Sequence, residues 1–283
     1  MAIVTIFGGT FGDDEALAQN LALTLGYAYV GREVLVKASQ RCDIPEAKLS
    51  DILEKEPHWW ERWQVNLRPY RIALQAAMSE AALAGNIVYH GHVGHGLLPG
   101  IRHVVRVLLT APMDYRIEQV RERQGLDEKA ARHYIDHVEK ARTRRLMALF
   151  GTDWHDPGQY ALILNIAQIS PLGAEKVIAD TASLTDYQAT PESRQALEDL
   201  ALTSRVEAHL LNFPRLRDLP IGVRAMQGEV TLLAIIPHSV SEIEIVGVVK
   251  TVPGVKKVSA DIVSLPSRVA PVTKLTPDSG FDA

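Results

Sequence analysis

A chain of 283 residues, 47% hydrophobic and 23% charged, has the composition of a globular protein and the length for two ordinary domains. Its formal net charge of −4 excludes a global attraction to nucleic acid or anionic lipid, so any anion site must be local. The single cysteine, Cys42, excludes an internal disulfide, the N-terminal apolar stretch is too short for a signal segment, and no run approaches a transmembrane length, which together imply a cytoplasmic protein.

The first element is an apolar strand from Ile3 to Phe7. A glycine-rich turn, Gly8-Gly9-Thr10-Phe11-Gly12, follows, then the acids Asp13-Asp14-Glu15 and a helix running to Leu25. Strand, glycine turn and helix are the layout of a phosphate-binding loop, in which backbone N–H groups and the helix dipole hold anionic oxygens. The lysine of the pattern G-x-x-x-x-G-K-S/T is missing: the fifth residue after Gly8 is Asp13, and no Lys, Arg, Ser or Thr lies between Asp13 and Ala18. Acids at this place cap a helix N-terminus and oppose a triphosphate unless magnesium bridges them.

A short strand over Tyr27 to Val30 leads into a helix from Arg32 to Gln40. Helices are then expected over Ile44 to Lys55 and Trp59 to Leu83, the second bent near Pro69. Asn86 to His90 reads as a strand, and so does Val104 to Thr110, apolar throughout except for Arg106. Continuous apolar strands separated by helices predict an α/β fold with a parallel sheet covered on both faces. Residues Pro112 to Phe150 are charged and helical in pattern, Tyr160 to Asn165 is the last strand of the sheet, and Pro171 to Ala182 closes it. The polar stretch 186–194, containing Pro191, is the expected linker.

Beyond it come a helix from Arg194 to Leu211, strands over Ile221 to Met226 and Glu229 to Ile236 joined at Gln227-Gly228, a helix from Ser241 to Val252, and a strand over Val255 to Ser264. That is a small α+β (αββαβ) unit over 195–265, of about 70 residues and near the lower limit for independent folding. Residues 266–283 hold three prolines and few apolar groups, the composition of a disordered tail.

Several motifs in the first 180 residues carry a resemblance. Leu109-Thr110-Ala111-Pro112 through Arg116 and Arg123, then Glu139-Lys140-Ala141-Arg142, then Gly151-Thr152-Asp153-Trp154 to Tyr160-Ala161-Leu162-Ile163-Leu164-Asn165 resemble, in order, motifs of the cytidylate kinase-like family. The resemblance implies the P-loop nucleoside monophosphate kinase fold over 1–185 and, if the chain is active, transfer of phosphate from ATP to CMP or a related small acceptor with Mg2+. It also implies roles: Gly8, Gly9, Thr10, Gly12 and Asp13 beside the donor, and Arg116, Arg123 and Arg142 on the transferring group, where guanidiniums offset developing charge. Exposed arginines paired with Glu118, Glu122 and Glu139 are the structural alternative.

Two positions depart from the family pattern. Where the family loop resembles Phe-Gly-Ser-Gly-Gly-Arg-Glu, Phe11-Gly12 is here followed by Asp13-Asp14-Glu15, which removes glycines and a base together, and His92 replaces the arginine beside the acceptor, although imidazole lacks the guanidinium fork. His90, His92 and His95 match no structural zinc spacing, and no metal site is expected. Trp59 and Trp63 share a helical face at the expected acceptor segment, where packing is the simpler reading.

The unit over 195–265 resembles a BON domain, most specifically in Val252-Pro253-Gly254-Val255-Lys256-Lys257-Val258. That resemblance implies a phospholipid, small ligand or protein partner. Two functions stay open: a kinase whose site is impaired or repurposed, and a non-enzymatic binding or regulatory protein built on the same scaffold.

Overall fold

The computed structural model describes residues 2–9, 14–49, 66–91 and 94–265, apart from the side chains of His95 and Leu265. Strand β1 (Ile3–Gly8) is buried along its whole length and leads to helix α1 (Asp14–Leu25). Then come β2 (Ala28–Val30), α2 (Glu33–Cys42), α3 (Arg68–Leu83), β3 (Ile87–His90), the short α4 (Gly94–Leu97), β4 (Val104–Thr110), α5 (Met113–Gln124), α6 (Glu128–Phe150), β5 (Leu162–Asn165) and α7 (Pro171–Ser183). The five strands form one sheet in the order β2-β3-β1-β4-β5, and every pairing is parallel. The expected α/β architecture is present.

Alternation along β1 assigns its side chains to two cores. Ile3 and Phe7 face a cluster that includes residues of α2, α3 and α6. Val4 and Ile6 face the opposite cluster with Leu17, Leu21 and Ile178 of α1 and α7. A strand covered on both sides has no polar face, which is why β1 reads as an unbroken apolar run.

Local chemistry sets the boundaries. Pro69, expected to bend a longer helix, sits in the first turn of α3, where its missing N–H breaks no hydrogen bond. The helical expectations over 50–65, including Trp59 and Trp63, lie outside the described residues. The charged stretch after β4 is two helices. Gly125, at φ 67°, ends α5, and the Asp127 carboxylate accepts from the Ala130 N–H to start α6.

After a turn at 185–187, helix α8 (Pro191–Leu211) opens with a capping box between Thr190 and Ser193. It leads to a second sheet of β6 (Gly222–Met226), β7 (Glu229–Pro237) and β8 (Lys257–Leu265), with α9 (Glu242–Lys250) between the last two. β6 and β7 are antiparallel, joined through Gln227 and Gly228 at φ 52° and 89°, a turn with two left-handed residues. β7 and β8 are parallel.

Helix α8 serves both halves of the chain. Leu197, Ala208 and Leu211 join the core shared with α2 and α3, while Leu202, Val206 and Leu210 lie under the second sheet. Glu80 of α3 accepts from Arg41 of α2 and from Arg205 of α8, tying the three helices together. Among the described residues no helix is long and apolar enough to cross a membrane.

Candidate functional site

Because all five strands run the same way, their carboxyl ends share one edge, the place where open α/β sheets bind ligands. β1 ends there at Gly8, β3 at His90 and β4 at Thr110. Helix α1 begins at the same edge with Asp14 and Glu15 in its first turn. Of the residues expected beside a donor, Gly8 and Gly9 are at this edge, whereas Thr10, Gly12 and Asp13 lie outside the described residues, as does His92.

Asp14, in the first turn of α1, reaches the ends of β1 and β3. Its Oδ2 lies 3.0 Å from His90 Nε2, and the two side chains are 12% and 18% exposed. A Cβ on Gly8 would stand 2.1 Å from that same Oδ2. The position therefore accepts only glycine while the carboxylate is in place. Glu15, the next acid, accepts from the Tyr29 hydroxyl at 3.3 Å. Burial, then the Glu15 charge, pushes the Tyr29 phenol up to about 12.

Helix α6 delivers Arg142 to the loop. Its Nη1 donates to the Gly8 carbonyl at 3.2 Å, and its guanidinium carbon lies 5.6 Å from the Phe7 ring centroid. Burial pushes the Arg142 pKa down, while the charges of Glu139 and Asp14 push it back up; a guanidinium stays charged at neutral pH. Arg116 of α5 pairs with Glu139, three residues before Arg142 on α6. Its Nε is buried without a hydrogen-bond partner among the described residues. Arg123 is exposed in the last turn of α5. The structure thus brings Arg142 and Arg116 together near the loop and leaves Arg123 at the surface.

A cavity of about 570 Å³ opens on the α3 and α6 side of the sheet, lined among others by Arg71, Gln75, Arg106, Phe150, Thr152 and Gln159. It begins at the carboxyl end of α6, where Leu149 lies about 10 Å along the helix from Arg142 at 1.5 Å per residue. Burial lowers the Arg106 pKa, and its Nη2 donates to the Leu98 carbonyl. The Thr152 hydroxyl is buried with no partner among the described residues. Gly96 packs flat on Phe150, whose ring would be 2.7 Å from an added Cβ. Trp154 lies on Phe7 at 5.1 Å between centroids and donates its indole N–H to Thr143, fixing the chain that leaves α6.

Arg71, Gln75 and Gln159 were not singled out from sequence, and Thr152 stood out only as part of the Gly151-Thr152-Asp153-Trp154 motif. Arg106 did leave a signal, as the one polar residue in an apolar strand. Of the three histidines, His90 pairs with Asp14, and the imidazoles of His92 and His95 lie outside the described residues.

The profile of the cytidylate kinase-like family matches residues 3–168, more than half of the chain. This chain belongs to the cytidylate kinase-like family. It is 27% identical to a cytidylate kinase of Ignicoccus hospitalis over 172 residues, covering 60% of this chain and 93% of that protein. With a cytidylate kinase of Staphylothermus marinus it shares 31% identity over 171 residues, covering 60% and 90%. An uncharacterized protein from Eubacterium ventriosum has a similar fold, with a TM-score of 0.50, 17% identity, and coverage of 64% of this chain and 97% of that one. For this family member, the second sheet lies beyond the matched residues.

Proposed function

We propose that the protein is a cytoplasmic kinase that transfers the terminal phosphate of ATP to CMP or a related small acceptor, with a donor side weaker than that of a lysine-bearing phosphate loop. The observation that carries this reading is Arg142, a buried guanidinium brought by a distant helix onto the carbonyl of Gly8. A positive group held at the loop suits charge that develops on a transferring phosphoryl. Backbone N–H groups of the loop at Gly8, Gly9, Thr10 and Gly12 would hold the donor, and Arg116 and Arg142 would stabilise the transferring group, with Arg123, exposed on α5, in a lesser role.

The acceptor would occupy the cavity beside α3, and His92 is the residue the family pattern assigns to its phosphate. Arg71, Gln75, Gln159 and Thr152 supply hydrogen-bonding groups for a heteroatom-rich ring, and the span from the cavity to Arg142 suits one nucleoside monophosphate. Asp14 carries the hard oxygen donors that magnesium takes, with Asp13 beside it in sequence, and a bound magnesium ion would offset the charge of the donor phosphates. The unit over 195–265, whose first helix α8 begins at Pro191 inside the stretch expected as a linker at 186–194, is read as BON-like, with a phospholipid, small ligand or protein as its partner.

A second reading, nucleotide binding without turnover or a purely regulatory role, is favoured by the pairing of Asp14 with His90 and of Arg116 with Glu139. Calorimetric titration with ATP and magnesium, followed by a coupled assay with CMP, separates the two. Binding with turnover supports the kinase, binding without turnover supports the second reading, and no binding up to millimolar concentrations refutes both nucleotide roles.

A further inference from the structure

Helix α3 carries Arg68, Arg71 and Gln75 at spacings that place them on one face. The C-terminal half of the chain holds that face. Arg68 donates through Nη1 to the Leu219 carbonyl at 3.0 Å and through Nη2 to the Ile221 carbonyl at 2.9 Å, clamping the chain between α8 and β6. Arg71 is held at both ends of its fork: Nη1 donates to Gln75 Oε1 at 3.0 Å, and Nη2 lies 3.6 Å from Glu207 Oε1. Glu207 belongs to α8 and is 8% exposed. At the other end of α3, Arg205 binds Glu80.

Arg71 is also a wall of the cavity beside α3. Its plane there is set by one residue of its own helix and one from the C-terminal half. Burial pushes the Glu207 carboxyl up, and the charges of Arg71 and Arg68 oppose that rise. A buried carboxylate between two guanidiniums is a poor choice for packing alone, since apolar side chains of similar size serve as well or better. Its distinctive contribution is orientation: a planar fork with both terminal nitrogens anchored presents a fixed edge to a ligand.

We infer that Glu207 is a positioning residue for the acceptor cavity, acting through Arg71, so that affinity for the acceptor depends on the C-terminal half of the chain. This role rests on the kinase reading above. It assigns to residues outside the family match a direct effect on the first step of that reaction, binding of a nucleoside monophosphate.

The test uses the full chain, with CMP as the probe in calorimetry and in steady-state assays. Glu207→Gln is expected to raise the Kd and KM for CMP about tenfold, within the range of measured couplings between contacting residues, and to change kcat little. Glu207→Asp, which keeps the charge, recovers most of the affinity. In a double-mutant cycle, adding Glu207→Gln to Arg71→Gln costs nothing further, because the group through which Glu207 acts is already gone. Glu244→Gln, on an exposed pair with Arg215 in the same half, leaves CMP binding unchanged. Thermal melts of each variant establish that folded protein is compared.

Unchanged CMP affinity in Glu207→Gln, additive effects in the cycle, or an equal loss in Glu244→Gln would overturn the role of Glu207 while leaving the kinase reading intact. Failure of the unaltered protein to bind CMP or any other nucleoside monophosphate would overturn both.

Discussion

Asp14→Asn tests the electrostatics of the loop most directly. The carboxylate stands against Gly8, with Oδ2 only 2.1 Å from where a Cβ would be, and its side chain is 12% exposed. For a phosphate about 4 Å from it, two unit charges would repel by about 1 kcal/mol in water and about 4 kcal/mol at an effective dielectric of 20. Removing the charge should therefore tighten ATP by roughly fivefold to several-hundredfold when magnesium is chelated. In excess magnesium the gain should vanish, because asparagine offers the ion one neutral oxygen in place of a charged group. Asparagine still accepts from His90, so the melting transition should change by about 1 kcal/mol or less. Isothermal titration of both proteins with ATP, with EDTA and then with magnesium, gives the four affinities needed. Equal ATP affinity of the two proteins in EDTA would refute the placement of this charge beside the donor.

Three further outcomes are expected. Arg142→Lys keeps a charge but loses the planar guanidinium whose Nη1 donates to Gly8, and should lower kcat for CMP phosphorylation by about 10³-fold or more, whereas Arg123→Ala, at an exposed position, should change it far less; comparable losses at both positions would remove Arg142 from its special place. Gly96→Ala drives a methyl into the Phe150 ring and should destabilise the fold by about 1–3 kcal/mol in urea titrations, and Phe150→Leu in the same chain should recover part of that loss. Burial pushes the Glu80 carboxyl up, but the hydrogen bonds and charges of Arg41 and Arg205 outweigh it and hold the group below its usual 4.5. A lowered folded pKa adds stability above the unfolded value, and that stability is lost as pH falls through the folded one. Glu80→Gln should thus cost about 1 kcal/mol at pH 7, a figure reduced for solvent screening, and the gap to the unaltered protein should close below pH 4.5 in urea melts; a constant gap would show that charge has no part in it.

Much of the fold is legible along the chain because its signals are local. The apolar runs at Ile3 to Phe7 and Val104 to Thr110 announce strands buried on both faces. Gly125 and Asp127 mark the break between α5 and α6, although the charge of the whole stretch hid it. The site was legible only in part. Arg116 and Arg142 stand out as motif residues. Arg71 lies in a helix whose register against α8 follows from packing, and nothing in its neighbours distinguishes it from a solvated arginine.

By itself the sequence determined a parallel α/β sheet, a glycine turn without its lysine, and a second small unit of helix, two strands, helix and strand. These follow from hydrophobic period, turn chemistry and a counted absence, all properties of neighbouring residues. The tertiary structure alone decided which groups meet. It set Asp14 against His90, brought Arg142 to Gly8 from 134 residues away, left Arg123 at the surface, and placed Glu207 behind the wall of a cavity built from the other half of the chain. Such meetings depend on how helices and strands pack in three dimensions, and no spacing along a single chain encodes them.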